Sequence, residues 1–337
     1  MILFVVLCGV AAWAATAFVR RNAVQLRLVQ APNERSSHVR PTPTGGGVGI
    51  ALTASIFGVW VAWQSGSPLW TILLLSLAFA MLGLLDDIVS LRSALRFPIQ
   101  MLLICILIAT MAPLPAIEVF GLTISGWSLL AAIAFVGLWW INLFNFMDGI
   151  DGLAGMQGIV MLLAAAVLCS PHLTGIPAGP VWWWMLAVAA ATAGFLGMNF
   201  PPARIFMGDA GSNYLAFMIF ALALLSISAG WLSYQTWAVL AAAFVCDATV
   251  TLLRRILNRE RWWAGHRQHA YQHLARRLAS HRSATLIYTG VNLLFVVPLA
   301  FAANSRPQEA WLLVAVAYLG LGISACFAGA GRSEDGK

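Results

Sequence analysis

Eleven apolar runs separated by polar turns organise the chain: residues 2 to 19, 46 to 63, 69 to 85, 97 to 112, 127 to 144, 156 to 170, 181 to 198, 214 to 229, 235 to 253, 284 to 303 and 309 to 329. They are too long and too free of charge for sheet strands, and they lack the alternation of an outer-membrane barrel. Lipid offers the backbone no hydrogen-bond partner, so such runs must satisfy themselves as helices. The pattern predicts an all-α, polytopic integral membrane protein of about eleven transmembrane helices. It is read as a single membrane-embedded domain, 1 to 337, with one long basic loop, 254 to 283, inside it.

Composition strengthens this reading. Of 337 residues 61% are hydrophobic and 9% charged, against about a quarter charged in a soluble domain. A net charge of +7 would suggest nucleic acid in a soluble protein. Its placement excludes that here, because of the 19 Lys and Arg only Arg306 falls in a segment predicted outside, the positive-inside pattern. Arg20 and Arg21 follow the first run rather than precede it, so that run reads as a retained helix and not a cleaved signal. The N-terminus is then outside and the C-terminus cytoplasmic. Cys8, Cys105, Cys169, Cys246 and Cys326 sit in apolar runs without pairing and read as small hydrophobes. Trp182 to Trp184, at the outer end of the seventh run, suit an interfacial aromatic belt.

On that topology the unusual residues gather at the cytoplasmic ends. In NLFNFMDGIDGLAG, 142 to 155, Asp148 and Asp151 share a face if the stretch is helical. Gly149, Gly152 and Gly155 leave the backbone bare enough for a ligand to approach. Asp86 and Asp87 close the third run, where mutual repulsion and the helix dipole call for a cation or proton; Arg92 and Arg96 follow as partners or phosphate contacts. In NFPPARIFMGDAGSN, 199 to 213, Arg204 supplies a cation, Phe206 an aromatic face and Asp209 an exposed carboxylate on a tight turn. Ser212 or Asn213 would cap the next helix. His266, His269 and His273, spaced three and four apart beside Arg267, fall on one side if helical. They lack the glutamate of a zinc protease, and phosphate binding is preferred over an amphipathic helix on anionic lipid. In RSSHVRPTPTGGG, Arg35, His38 and Arg40 either meet phosphates or merely connect. Asp247, an ionisable residue within a run, is either functional or a partner of Arg254 or Arg255, the structural role being preferred.

Five carboxylates on one face repel each other and any phosphate unless a divalent cation bridges them to a polyphosphate. Oxygen ligands favour Mg²⁺, with Mn²⁺ as the alternative. No Walker loop and no Rossmann fingerprint is present, so the site is built from membrane-helix ends that meet one substrate from the cytosol and one from lipid.

The Asp pair at 86 and 87, NxxNFMDGIDGLAG at 142 to 155, NFPPARIFMGD at 199 to 209 and HRQHAYQH at 266 to 273 together resemble the polyprenyl-phosphate N-acetylhexosamine-1-phosphate transferases, glycosyltransferase family 4. The resemblance covers nearly the whole chain in order. It implies transfer of a sugar-1-phosphate from a UDP-sugar to undecaprenyl phosphate, with release of UMP and use of Mg²⁺, in the bacterial inner membrane. It further implies that Asp209 is the main metal ligand, with Asp86 and Asp87 tied to metal binding and acceptor activation. Asn142, Asn145, Asp148 and Asp151 match the nucleotide-side motif, Asp148 among the catalytic set. Asn199, Arg204 and Phe206 match positions near the uridine, and His266, Arg267, His269 and His273 the basic loop on the donor. A homodimer is implied by the likeness alone. Direct attack on the β-phosphorus and a two-step route through an aspartyl-phosphate both stay open. Ser90 stands where the peptidoglycan branch carries lysine, and three histidines are spread where that branch has three in a row. Both departures point away from a MurNAc-pentapeptide donor, and the HRQHAYQHL loop and the RSSHVRPTPTGGG segment most resemble the O-antigen-initiating branch, which uses UDP-GlcNAc or deoxy amino sugars such as UDP-FucNAc and UDP-QuiNAc. The rival class is a transporter or lipid-linked-sugar flippase, which would place its ionisable residues near the bilayer midplane. An inactive scaffold is the third, and the intact aspartates argue against it.

Overall fold

The computed structural model describes residues 1–30, 41–170, 173, 175, 179–261 and 266–332. The expectations placed on Arg35, His38 and Arg40 and on the tail at 333–337 lie outside the described residues. The helices run in order as α1 (Ile2–Asn22), α2 (Gly47–Ser65), α3 (Ser67–Val89), α4 (Ser93–Met111), α5 (Gly126–Met147) and α6 (Leu153–Leu168). They continue as α7 (Pro180–Asn199), α8 (Gly208–Ser228), α9 (Tyr234–Leu257), α10 (Ala270–Arg277), α11 (His281–Ser305) and α12 (Pro307–Ala328). Two short antiparallel pairs join them: β1 (Val29–Gln30) with β2 (Thr42–Pro43), and β3 (Ile117–Val119) with β4 (Leu122–Ile124).

Ten of these helices are long and apolar enough to cross a membrane, one fewer than the eleven runs predict. The difference is α6, whose 16 residues make about 24 Å at 1.5 Å each, short of a hydrocarbon core of roughly 30 Å. It nevertheless follows α7 along its length. The Trp182 indole, where α7 starts, donates to the Ala166 carbonyl at 2.7 Å, and the Asn199 side chain, where α7 ends, accepts from the Gly152 N–H at 3.0 Å. Twelve of its 16 residues are buried, and a helix wrapped in protein need not match lipid thickness. Trp184 departs from the expected aromatic belt as well. It is fully buried and donates to the Ala54 carbonyl at 3.1 Å, so it packs α7 against α2.

The hub is α8, buried along almost its whole length. Lipid tails are as apolar as the side chains, so close packing rather than water exclusion holds such helices together. Phe79 of α3 stacks on Phe217 of α8 with ring centres 4.7 Å apart. One turn or so further along α3, a Cβ at Gly83 would collide with the Asp209 carbonyl. Only glycine lets the two backbones meet there, and that contact delivers Asp86 and Asp87 to the start of α8.

Candidate active site

Asp86 and Asp87 occupy the last turn of α3, which a left-handed Ser90 (φ 52°) ends. Successive side chains on a helix diverge, and the two carboxylates take different partners. Asp87 accepts from the backbone N–H groups of Asp209 at 2.9 Å and Ala210 at 3.1 Å, capping α8 where free N–H groups and the helix dipole favour an anion. Asp86 accepts from the Leu91 N–H at 2.7 Å and pairs with Arg96, whose guanidinium also reaches Asp209 at 3.4 Å. The repulsion expected between the neighbours is relieved by a helix N-terminus on one side and a guanidinium on the other. The same contacts move Asp209 from the expected tight turn into the first turn of α8. Ser212 and Asn213 lie buried within α8; the cap comes from another helix.

Asn145 donates to the second Asp209 oxygen at 2.8 Å and to the Ser212 hydroxyl at 2.9 Å. Asn142, nearly a turn earlier, is buried and donates to Gln100 at 2.9 Å and to the Leu138 carbonyl at 2.8 Å, tying α5 to α4. Asp148 and Asp151 do not share a helical face, because α5 ends at Met147 and α6 starts at Leu153. Asp148 makes no hydrogen bond through its carboxylate among the described residues. Burial pushes its pKa well above the ordinary carboxylate value, and the nearby charges of Asp209, Asp87 and Asp151 push the same way. Asp151 instead accepts from the Ala203 N–H at 2.9 Å and lies 3.3 Å from His281 Nδ1.

The residues expected around a nucleotide base hold the backbone in place. Asn199 bridges Gly152 N–H and the Ile205 carbonyl, at 3.0 and 2.9 Å. Phe206 pairs through its backbone with Pro43 and Gly46, at 2.8 and 2.9 Å, so the TPTGGG stretch braces the start of α8. Arg204 is exposed. Gly149 lines the cavity and is also needed for packing: a Cβ there would collide with the Tyr271 hydroxyl, which donates to the Phe146 carbonyl at 3.0 Å.

The three histidines separate. Helix α10 begins only at Ala270, so His266 and His269 belong to an extended approach, their rings 4.9 Å apart, with His269 stacked on Tyr271 at 5.5 Å. His273, inside α10, lies beside Gly329 and 3.2 Å from Arg276; Arg276 also donates to the Arg267 carbonyl at 2.9 Å. Asp247 does not pair with the arginines after it. Arg254 donates to the carbonyls of Cys326 and Ala330, and Arg255 pairs with Glu260 at 2.9 Å.

Arg96, Asn142, Asn145, Asp209, His266 and His269 line a cavity of about 580 Å³. Phe97, Phe135, Leu138, Trp139 and Leu252 line it as well, and Phe97 and Phe135 are exposed. No group of three His, Cys, Asp or Glu side chains able to hold a metal by itself is present among the described residues. Sequence reasoning named Arg96 only as one of two arginines near the Asp pair, and it missed Gln100 and Tyr271; a polar Gln100 in an apolar run was the available signal.

The profile of glycosyl transferase family 4 matches residues 69–227. A Bacillus subtilis protein named as a probable undecaprenyl-phosphate N-acetylglucosaminyl 1-phosphate transferase is 30% identical, covering 90% of this chain and 84% of its own. A Mycobacterium tuberculosis decaprenyl-phosphate N-acetylglucosaminephosphotransferase is also 30% identical, covering 91% and 84%. A phospho-N-acetylmuramoyl-pentapeptide-transferase of Deinococcus radiodurans is 32% identical over a shorter stretch, 51% of this chain and 58% of its own.

Proposed function

The chain belongs to glycosyl transferase family 4, and on that premise we propose that it moves an N-acetylhexosamine 1-phosphate from a UDP-sugar to undecaprenyl phosphate, leaving UMP. The observation that carries this is one cavity lined both by large apolar side chains, the exposed Phe97 and Phe135 among them, and by arginine, histidine and carboxylate. Such a cavity suits a prenyl chain and a polyphosphate at once.

Asp209, Asp86 and Asp148 suit a divalent cation, Mg²⁺ first and Mn²⁺ second, that takes one or two carboxylates and completes its shell with phosphate oxygens and water. The fit rests on an Asp148 carboxylate without a donor beside other carboxylates that share one guanidinium. When bound, the ion would withdraw charge from the phosphoryl group. Arg96 offers a planar guanidinium to phosphate oxygens, while Asn145 keeps Asp209 aimed. His266 and His269 meet the donor's phosphates and sugar. The acceptor phosphate, a monoester that has lost most of its second proton by about pH 7, attacks through a free oxygen. That oxygen bonds to the β-phosphorus as its bond to the bridging oxygen breaks, and the electron pair leaves with UMP. Asp87, Asp151 and Asn199 serve by holding α8 and the turns in place, and Asn142 by tying α5 to α4 at the cavity.

UDP-GlcNAc is the first donor to try, with UDP-FucNAc and UDP-QuiNAc next. The reaction is the first membrane step of O-antigen or another cell-surface polysaccharide, at the bacterial inner membrane. Purified protein in detergent with undecaprenyl phosphate and Mg²⁺ is expected to release UMP from one of these donors or UDP-GalNAc. Release should require lipid and metal and should vanish in Asp209→Asn. If no donor yields UMP while lipid-linked sugar crosses the bilayer of proteoliposomes, the protein is a flippase instead.

A further inference from the structure

Asp247 lies within α9, 1% exposed, and no role above uses it. A buried carboxylate persists only where donors replace its water. Its Oδ1 accepts from the Ala270 N–H at 2.7 Å and from the Thr251 hydroxyl at 3.3 Å. Its Oδ2 accepts from the Tyr271 N–H at 3.0 Å and from the Tyr288 hydroxyl at 2.6 Å. His269 Nδ1 stands 3.5 Å from Oδ1. The carboxylate thus meets the first two N–H groups of α10, a phenol on α11, and the one imidazole that both touches it and lines the cavity.

His269 Nδ1 makes no hydrogen bond of its own among the described residues, so the carboxylate acts on the ring through its proximity at 3.5 Å and through the two N–H groups it holds directly after His269; with Nδ1 toward Asp247, Nε2 lies on the opposite side of the ring. Tyr271, started by the same carboxylate, carries the constraint further. Its ring stacks on His269 and its hydroxyl donates to the Phe146 carbonyl, two residues before Asp148. We propose that Asp247 is a positioning residue of the transfer reaction, which from inside α9 sets the His269 ring on the cavity wall so that Nε2 meets the phosphates of the sugar nucleotide. The kinetic part rests on the transferase reading; the placement of His269 does not.

Two measurements separate these. Hydrogen exchange of the peptide spanning 266–273 is compared in wild type, Asp247→Asn and Tyr288→Phe in detergent. An amide in place of the carboxylate presents a donor to a backbone N–H, so exchange should rise about tenfold in Asp247→Asn and about threefold in Tyr288→Phe, with peptides of α8 unchanged. In the UMP-release assay, Asp247→Asn and His269→Ala should each raise the donor KM about tenfold, and the double variant should match either single one rather than multiply them. The acceptor KM should stay within about threefold of wild type. Unchanged exchange in both Asp247→Asn and Tyr288→Phe overturns the placement. Multiplying effects, or an equal rise in the acceptor KM, overturn the positioning role and leave Asp247 a helix cap. If Asp247→Asn does not fold, Tyr288→Phe with His269→Ala carries the same cycle. A wild type that turns over no UDP-sugar sinks the transferase reading and with it the kinetic claim, while exchange still decides the placement.

Discussion

Arg96 stands between Asp86 and Asp209, carboxylates of two separate helices. Arg92, one turn away, has no such position, and their spacing alone could not choose between them; the α3–α4 turn did. Arg96→Ala leaves two carboxylates facing each other without a cation and removes a donor for phosphate. UMP release is expected to fall about 100-fold or more, with a lower thermal midpoint in detergent that Mg²⁺ partly restores. A variant with wild-type turnover would remove Arg96 from the site. Asp148 makes a pH prediction. Its pKa is raised in the folded protein, so the fold binds its proton more tightly than the unfolded chain does. That contribution is complete below the ordinary carboxylate pKa and is lost as pH rises through the raised value. Asp148→Asn should therefore raise the thermal midpoint of the metal-free protein more at pH 8 than at pH 5, while abolishing turnover. Equal shifts at both pH values would show that Asp148 titrates normally.

At the scale of elements, the site is a set of turns held by carboxylates from neighbouring helices. Asp87 caps α8, Asp247 caps α10 and Asp151 holds the loop before α8. Tyr271 presses α10 onto the Phe146–Gly149 turn. Gly149→Ala forces a methyl group into the Tyr271 hydroxyl, an overpacking of the sort that costs about 1–3 kcal/mol, and UMP release should drop at least about tenfold. Adding Tyr271→Phe relieves part of the clash, so the double variant should be more active than Gly149→Ala alone. A double variant worse than either would show that the hydroxyl is not the obstacle. The NxxNFMDGIDGLAG stretch was legible as a site, but not its internal division of labour. A helical spacing put Asp148 and Asp151 together, and a five-residue turn between α5 and α6 sends them apart.

For the whole molecule, one cavity lined by Arg96, Asp209 and His269 and also by Phe97, Phe135 and Trp139 is the feature that, on the proposed function, would receive two substrates of opposite solubility. Phe135→Ser should raise the KM for undecaprenyl phosphate about tenfold, the loss of one large apolar contact, with the KM for the UDP-sugar unchanged. An equal rise for both substrates would mean that the wall does not hold the lipid. The helical membrane class, the clustering of carboxylates near the helix ends and the family were all legible in the sequence, because apolar run length and local motifs are properties of contiguous residues. The sequence could not show that α6 is shorter than its neighbours yet buried beside α7, that His273 turns to Gly329 while His266 and His269 line the cavity, or that Asp247 reaches α10 rather than Arg254. Those were decided only in the tertiary structure. Each depends on which helix ends meet, a contact between residues far apart in the chain that no local spacing encodes.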